Sequence, residues 1–146
     1  MANHSSLSTL IELAEKETDT AAKKLGAAIR MSEECEKKLT LLMTYRDEYA
    51  SRFQAGQSAG ITVAGYRNFQ AFLGKLDDAI SGQQEVIAHA KKRIEVERSS
   101  WQASERKRMS YNTLVNRAQK QELRLEVKRD QKLTDEHAAR QGYYKQ

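Results

Sequence analysis

The chain has 146 residues, a formal net charge of +5, 31% charged residues and no proline. This length corresponds to about one domain, and the small number of large apolar residues is unfavourable for a compact globular core. A two-stranded coiled coil requires only a narrow apolar stripe and tolerates this composition, which is rich in helix-forming residues.

The first predicted element is a helix over about residues 6–55. Thr9 followed by Glu12 fits a capping box at its start. From Leu7 onward, apolar residues recur at alternating steps of four and three, which is the period of a coiled coil. We call the positions that follow this period the seam, and eleven of its fourteen members in helix one are apolar. They are Leu7, Ile11, Ala14, Thr18, Ala21, Leu25, Ala28, Ser32, Cys35, Leu39, Leu42, Arg46, Tyr49 and Phe53. So regular a pattern favours a coiled coil over disorder, the alternative for such a polar chain.

A bend is predicted over residues 56–65. Gly56, Gly60 and Gly65 lie there together with Ser58, between the two most aromatic segments of the chain. Clustered glycines interrupt a helical pattern. The sequence therefore predicts a reversal between two antiparallel helices.

The second helix is predicted over about residues 66–140. Its first eleven seam positions are Tyr66, Phe69, Leu73, Leu76, Ile80, Gln83, Ile87, Ala90, Ile94, Glu97 and Trp101. All of them except Gln83 and Glu97 are apolar, which makes nine of eleven. The pattern weakens at Ser104, Arg108, Tyr111, Val115 and Ala118. Gly74 and Gly82 lie inside this helix, where they either soften it or let a partner helix approach closely.

The register follows from the bend. If Phe53 faces Tyr66, Leu7 falls near residue 112, and later residues have no partner within the chain. We therefore expect an all-α fold and a single domain over residues 1–146: a long antiparallel two-helix coiled-coil hairpin with an overhanging second helix. The terminal segment QGYYKQ is expected to be disordered.

Beside the bend, the apolar set is wider than the two positions per heptad that a coiled coil buries. Two rows at helical spacing stand out, formed by Lys38, Leu42, Tyr45 and Tyr49 and by Phe72, Leu76, Ala79 and Gln83. Exposed apolar patches that include tyrosine are typical of protein-binding sites. The alternative is that Tyr45 and Phe72 only fold over the seam.

The excess positive charge lies in residues 101–146, which hold 11 Lys or Arg and six Asp or Glu. It includes the runs ERKR from Glu105 and KRDQK from Lys128. Such a segment indicates an acidic partner surface, nucleic acid or a solvated tail. Because stacking aromatics are not interleaved with the cations, sequence-specific nucleic-acid binding is the less favoured reading.

The sequence shows no constellation of catalytic residues. The glycines form no phosphate-binding loop, and His4, His89 and His137 lack the spacing of metal ligands. We therefore expect no metal, no cofactor and no enzymatic activity. Cys35, the only cysteine, is expected to be a buried thiol on the seam. The N-terminus becomes polar too soon for a signal peptide, and no run approaches the roughly 20 apolar residues of a membrane helix, so we expect a cytoplasmic protein.

Several segments, taken in order, carry a family resemblance. They are LSTLIELAEKETDTAAKKLG from Leu7, LTLLMTYRDEYASRF from Leu39, the GI at Gly60 with NFQAFLGKLDDAI from Asn68, SSW at Ser99 and RDQKLTDEHAAR from Arg129. Each is weak alone, but together they cover nearly the whole chain. The chain resembles the FliJ family of flagellar type III export proteins.

The resemblance implies a non-enzymatic coiled-coil component of the bacterial flagellar export apparatus, similar to the central stalk of rotary ATPases. Its implied partners are the hexameric export ATPase FliI, whose ring assembly it promotes, the cytoplasmic part of the export gate protein FlhA, and export chaperones. Its implied location is the cytoplasmic face of the inner membrane at the flagellar base. The gate-binding residues implied are Lys38, Leu42, Tyr45, Tyr49, Phe72, Leu76, Ala79 and Gln83. Lys38 and Gln83 depart from the family pattern, in which a glutamine-like residue and a histidine are typical.

For the ATPase, we expect the terminal segments to supply the contacts. The residues expected there are Leu7, Ile11, Arg117, Lys120, Arg124, Lys128 and Arg129. Two other functions remain open at this point. One is an adaptor or stalk of another secretion system, and the other is a basic helix that binds nucleic acid.

Overall fold

The computed structural model describes residues 2–144, with side chains from residue 6 onward. Helix α1 spans Ala2–Gly56, a short 3-10 turn spans Gln57–Ala59, and helix α2 spans Val63–Tyr144. Within the described residues there is no strand. The predicted all-α fold of two long helices packed against each other is confirmed.

The outer bounds of the helices differ from the prediction. Helix α1 begins at Ala2, so Thr9 lies within the helix and is not its cap. Residues 2–9 contain no proline or glycine that would interrupt the helix before Thr9. Helix α2 continues to Tyr144, so the disorder expected from residue 141 is wrong as far as 144. A single Gly142 costs about 1 kcal/mol in a helix, which is too little to end it. The last two residues of the predicted disordered segment lie outside the described range.

The reversal is shorter than predicted, because Thr62 starts helix α2 four residues before Tyr66. The Thr62 hydroxyl accepts a hydrogen bond from the Gly65 N–H at 3.0 Å, and the Thr62 carbonyl accepts one from the Tyr66 N–H at 3.0 Å. This is the arrangement of an N-cap residue. Before it, Gly60 has φ 87°, a conformation that residues with a side chain rarely adopt.

Contacts divide the chain into two units, one of Asp19–Gln102 and one of Met1–Thr18 with Ala103–Gln146. In the first unit, the predicted register is confirmed. The rings of Phe53 and Tyr66 have centroids 6.2 Å apart, and Gln83 Nε2 donates to the Cys35 carbonyl at 2.9 Å. From the first of these contacts to the second, the residue number decreases along α1 and increases along α2, so the two helices are antiparallel.

The seam of the first unit is buried or half-buried at every predicted position except Tyr66, which is exposed. Its most buried apolar members are Ala21, Cys35, Leu76, Ile80 and Ile87. Ser32 and Glu97 are buried polar members of the same seam. The coiled-coil period in the sequence therefore marks the packed face correctly.

In the second unit, Ala14 and Thr18 are buried, and Glu17 Oε2 lies 3.7 Å from Lys107 Nζ. The weak seam positions of α2 remain half-buried as far as Ala118, whereas every described residue from 119 to 144 is exposed. The unpaired part of α2 thus begins after Ala118 and not near residue 112. The reason is that α1 begins at Ala2 and not near residue 6, so more than one additional helical turn of α1 is available to pair with α2.

Candidate protein-interaction surfaces

The first candidate surface, which we call the aromatic surface, lies within the unit of Asp19–Gln102. It comprises the eight residues predicted to bind the gate protein: Lys38, Leu42, Tyr45, Tyr49, Phe72, Leu76, Ala79 and Gln83. The structure separates them by exposure. Lys38, Tyr45, Phe72 and Ala79 are exposed, Leu42, Tyr49 and Gln83 are half-buried, and Leu76 is buried.

The aromatic rings of this surface form a continuous ladder between the two helices. Tyr45 contacts Phe72 edge to face, with ring centroids 6.3 Å apart and an interplanar angle of 81°. Tyr49 lies 4.7 Å from Phe72 and stacks on Phe69 at 5.3 Å. Phe53 stacks on Phe69 at 3.6 Å. Aromatic pairs of this kind contribute about 0.5–1.5 kcal/mol beyond the area they bury, so the ladder fixes the positions of its outermost rings.

The outermost pair of rings is both packed and partly exposed. Tyr45 and Phe72 pack against each other, yet they remain 47% and 37% exposed. Leu76, which is 8% exposed, lies on the seam one helical turn after Phe72. Gln83 uses its amide to bond the Cys35 carbonyl, so part of its polar capacity is taken up inside the unit. Both rings are therefore exposed to solvent while each packs against a ring of the other helix.

The prediction missed Leu41, which is exposed and lies one helical turn before Tyr45. Leu41 lines a shallow groove together with Glu33, Glu36, Lys37 and Thr40. The spacing of four residues makes Leu41 a neighbour of Tyr45 on α1 and could have found it, but the groove extends toward the opposite side of the seam, where Glu36 pairs with Lys91.

The second candidate surface, which we call the basic surface, belongs to the unit of Met1–Thr18 and Ala103–Gln146. It comprises the residues predicted to contact the ATPase. The structure leaves Leu7 and Ile11 half-buried in the seam of α1, while all the cations are exposed. The cations are Arg117, Lys120, Arg124, Lys128 and Arg129.

Helical geometry groups most of these cations on one face. At about 100° per residue, Arg117, Lys120, Arg124 and Lys128 fall within a narrow sector of α2. Arg129 lies outside that sector. The carboxylates of Glu122, Glu126 and Asp130 fall on the opposite face. This part of α2 is thus a helix with one basic and one acidic face.

The ERKR run behaves differently from these cations, because two of its basic residues form ion pairs within the unit. Lys107 pairs with Glu17. Arg108 bonds the Glu105 carboxylate and holds the pKa of that carboxyl below its usual range. The exposed cations after residue 116 are therefore the better candidates for an acidic partner.

Two kinds of feature were not found among the described residues. Among the side chains described, those of residues 6–144, no group of three or more His, Cys, Asp or Glu is placed to hold a metal ion. Over the same range, neither helix combines the length and the apolar character needed to cross a membrane. The features that stand out in this part of the chain are the two surfaces described above.

Comparison with known proteins places the chain in a family. The family model described as "Flagellar FliJ protein" matches residues 3–146. The Flagellar FliJ protein of Escherichia coli (strain K12) is 34% identical over 140 residues, which are 96% of this chain and 95% of that protein. The Flagellar FliJ protein of Salmonella typhi is 33% identical over 140 residues, with the same coverage. The agreement therefore extends over nearly the full length of both relatives, and the chain belongs to the flagellar FliJ protein family.

Proposed function

We propose that the chain is a non-enzymatic coupling protein of the bacterial flagellar type III export apparatus. Membership of the flagellar FliJ family over residues 3–146 is the observation that carries this proposal. In it, the protein acts at the cytoplasmic face of the inner membrane, promotes assembly of the export ATPase ring, contacts the export gate and escorts export chaperones. A helix pair can do this by binding alone, since coupling two partners requires no reaction on the connector itself.

The proposed contact with the gate protein FlhA is the aromatic surface. Tyr45 and Phe72 support this assignment, because they are large, partly exposed and held by neighbouring rings. Rigid aromatic side chains are frequent among the residues that dominate binding energy at protein interfaces. Leu76 and Tyr49 act beneath them by fixing their positions.

The proposed contact with the ATPase FliI is the basic surface. Its four aligned cations are exposed, and three of them, Lys120, Arg124 and Lys128, lie after residue 118, where every described residue of α2 is exposed. A face of this kind favours an acidic partner through steering and complementary charge. Leu7 and Ile11 support it indirectly, because they pack the helix pair from which this part of α2 continues.

The broad proposal is tested by using the intact chain as bait in an extract of the flagellated source cells. We expect it to recover FliI and the cytoplasmic part of FlhA, together with export chaperones. Recovery of the ATPase of another secretion system in place of FliI would instead support the adaptor reading. Recovery of nucleic acid in a salt-dependent manner would support the basic-helix reading.

The aromatic surface is tested by combining Tyr45→Ala with Phe72→Ala. We expect this variant to lose binding to the gate protein and to reduce motility, while it keeps the helical content of the unaltered chain. The matched control combines Tyr143→Ala with Tyr144→Ala, which removes another edge-to-face aromatic pair, with centroids 6.0 Å apart. Unchanged gate binding in the first variant would refute the assignment of the aromatic surface.

A further inference from the structure

The two sides of the seam differ in the unit of Asp19–Gln102. On each helix, a row of residues spaced seven apart borders the seam on either side. One side, which we call the cationic flank, consists of Lys24, Met31, Lys38, Tyr45 and Arg52 on α1 and Phe72, Ala79, Val86 and Arg93 on α2. The other side, which we call the ion-paired flank, consists of Ile29, Glu36 and Met43 on α1 and Asp77, Lys91 and Arg98 on α2.

Contacts across the seam confirm which rows share a side. Tyr45 meets Phe72 across the cationic flank. Glu36 Oε1 lies 3.6 Å from Lys91 Nζ across the ion-paired flank. Because each row advances by seven residues, one such contact assigns the whole row to its side.

Charge is balanced on the ion-paired flank. Glu36 pairs with Lys91, and Asp77 accepts a 2.5 Å hydrogen bond from Arg46 Nε, which raises the pKa of Arg46 above its ordinary value. Both contacts join α1 to α2, so opposite charges face each other on this side of the seam.

Charge is unbalanced on the cationic flank. Among the described residues, no ion pair engages Lys24, Lys38 or Arg52, and Arg93 pairs only with Glu97 of its own helix at 3.0 Å. The flank itself contains no carboxylate. The cationic flank therefore presents positive charge beside its exposed apolar side chains.

That apolar surface continues beyond the aromatic surface. Met31 is 58% exposed and Val86 is 47% exposed, and the register places them on the same side as Tyr45 and Phe72. Ala79 and Gly82 lie between Phe72 and Val86, one helical turn apart. A Cβ atom at Gly82 would meet nothing within 4 Å. The two small residues leave little side-chain bulk at this point, which we call the depression, so another backbone could lie close to α2 there.

We propose that the cationic flank is a docking surface for an amphipathic α-helix with acidic residues beside its apolar face, supplied by the partner that binds the aromatic surface. The apolar side chains of that helix cover Tyr45, Phe72, Met31 and Val86, and its carboxylates approach Lys24 and Lys38. Its backbone approaches the depression at Gly82. Helices laid along apolar grooves are a recurrent mode of peptide recognition. This inference rests on the proposed function, because Lys38, Tyr45, Phe72 and Ala79 belong to both surfaces.

The steric test replaces glycines and measures the affinity of the complete chain for the purified cytoplasmic part of the gate protein. Gly82→Gln fills the depression, and we expect it to weaken binding by at least about tenfold. Gly74→Gln is the matched control, because Gly74 also has open space around it but faces away from the cationic flank. Both changes replace glycine with a better helix former, so neither should unfold the chain. Equal affinity of the two variants would overturn the docking geometry.

The charge test uses adjacent lysines as its control. Combining Lys24→Glu with Lys38→Glu should weaken binding by about three- to tenfold and reduce its salt dependence. Combining Lys23→Glu with Lys37→Glu makes the same change in net charge one position away, on the outer face of α1, and should leave affinity nearly unchanged. Equal effects of the two pairs would overturn the acidic character of the partner helix.

Failure of this inference can be separated from failure of the proposed function. If the variant with Tyr45→Ala and Phe72→Ala binds the gate protein normally, the proposed function is wrong at this surface. If that variant loses binding while Gly82→Gln and the Lys24, Lys38 reversal both bind normally, the proposed function stands and the extended docking surface is wrong.

Discussion

At the residue scale, the reversal depends on Gly60 and Thr62. Gly60 adopts φ 87° and ψ 138°, which places it in a region that only glycine occupies readily. Thr62 then supplies both the side-chain and the carbonyl acceptor that start α2. These two residues allow α2 to begin at Val63, only a few residues after α1 ends at Gly56.

Gly60→Ala should lower the free energy of unfolding by about 1–3 kcal/mol, because alanine strains this backbone conformation. Gly74→Ala is the matched control, since a Cβ atom there meets nothing within 4 Å. It should raise the free energy of unfolding by up to about 1 kcal/mol through better helix propensity. Urea unfolding followed by circular dichroism measures both. Stabilisation by Gly60→Ala would contradict this description of the turn.

Thr62→Ala should lower the free energy of unfolding by about 1 kcal/mol, because it leaves the Gly65 N–H without its acceptor. Thr40→Ala removes a hydroxyl that bonds the Glu36 carbonyl within a helix and should have little effect or stabilise slightly. The same unfolding experiment compares the two variants. If both threonine variants have equal stability, Thr62 is not an effective cap.

At the element scale, the seam sets the strength of the helix pair. Glu97 is a buried carboxylate at a seam position, where it is paired with Arg93. Glu97→Leu should raise the free energy of unfolding by about 1–2 kcal/mol, because leucine would bury apolar area at a seam position that a carboxylate now occupies. Glu95→Leu, at an exposed position two residues earlier, should give no such gain. A thermal melt that shows no increase for Glu97→Leu would contradict the seam assignment.

The exposed end of α2 should be dispensable for folding. A chain that ends at Ala118 should keep the thermal stability of the full chain, because every described residue after it is exposed. A chain that ends at Gln102 removes half-buried seam residues and should melt at a lower temperature. Circular dichroism melts of both truncations make the comparison. A marked loss of stability in the longer truncated chain would show that residues after 118 contribute packing.

The sequence was sufficient to predict which positions form the seam, but it was not sufficient to predict where the helices begin and end. Positions such as Cys35 and Ile80 were assigned correctly, because burial in a helix pair follows the alternation of four and three. The seam positions from Ser104 to Ala118, where the apolar pattern weakens, are also half-buried. A continuous helix places the polar residues at seam positions on the same face as the apolar ones. The start of α2 was misplaced, because a single capping threonine is a weaker pattern than the glycines around it. The exposure of Tyr45 could not be predicted either, since it depends on how far the Phe72 ring covers it.

At the scale of the whole molecule, two surfaces of different chemistry lie in different units. One is aromatic and is bordered by cations; the other is a basic face on an exposed helix. Membership of the flagellar FliJ family supports a role in flagellar protein export. In the proposed account, each surface serves a different partner, so each should be removable without loss of the other.

The central claim is tested most directly by measuring the dissociation constants of FliI and of the cytoplasmic part of FlhA with the same three purified chains. The chains are the unaltered protein, the variant with Tyr45→Ala and Phe72→Ala, and the chain truncated after Ala118. The aromatic variant should bind FlhA at least about tenfold more weakly and FliI normally, whereas the truncated chain should show the reverse. Loss of both partners in either variant, or of neither partner in both variants, would contradict the account.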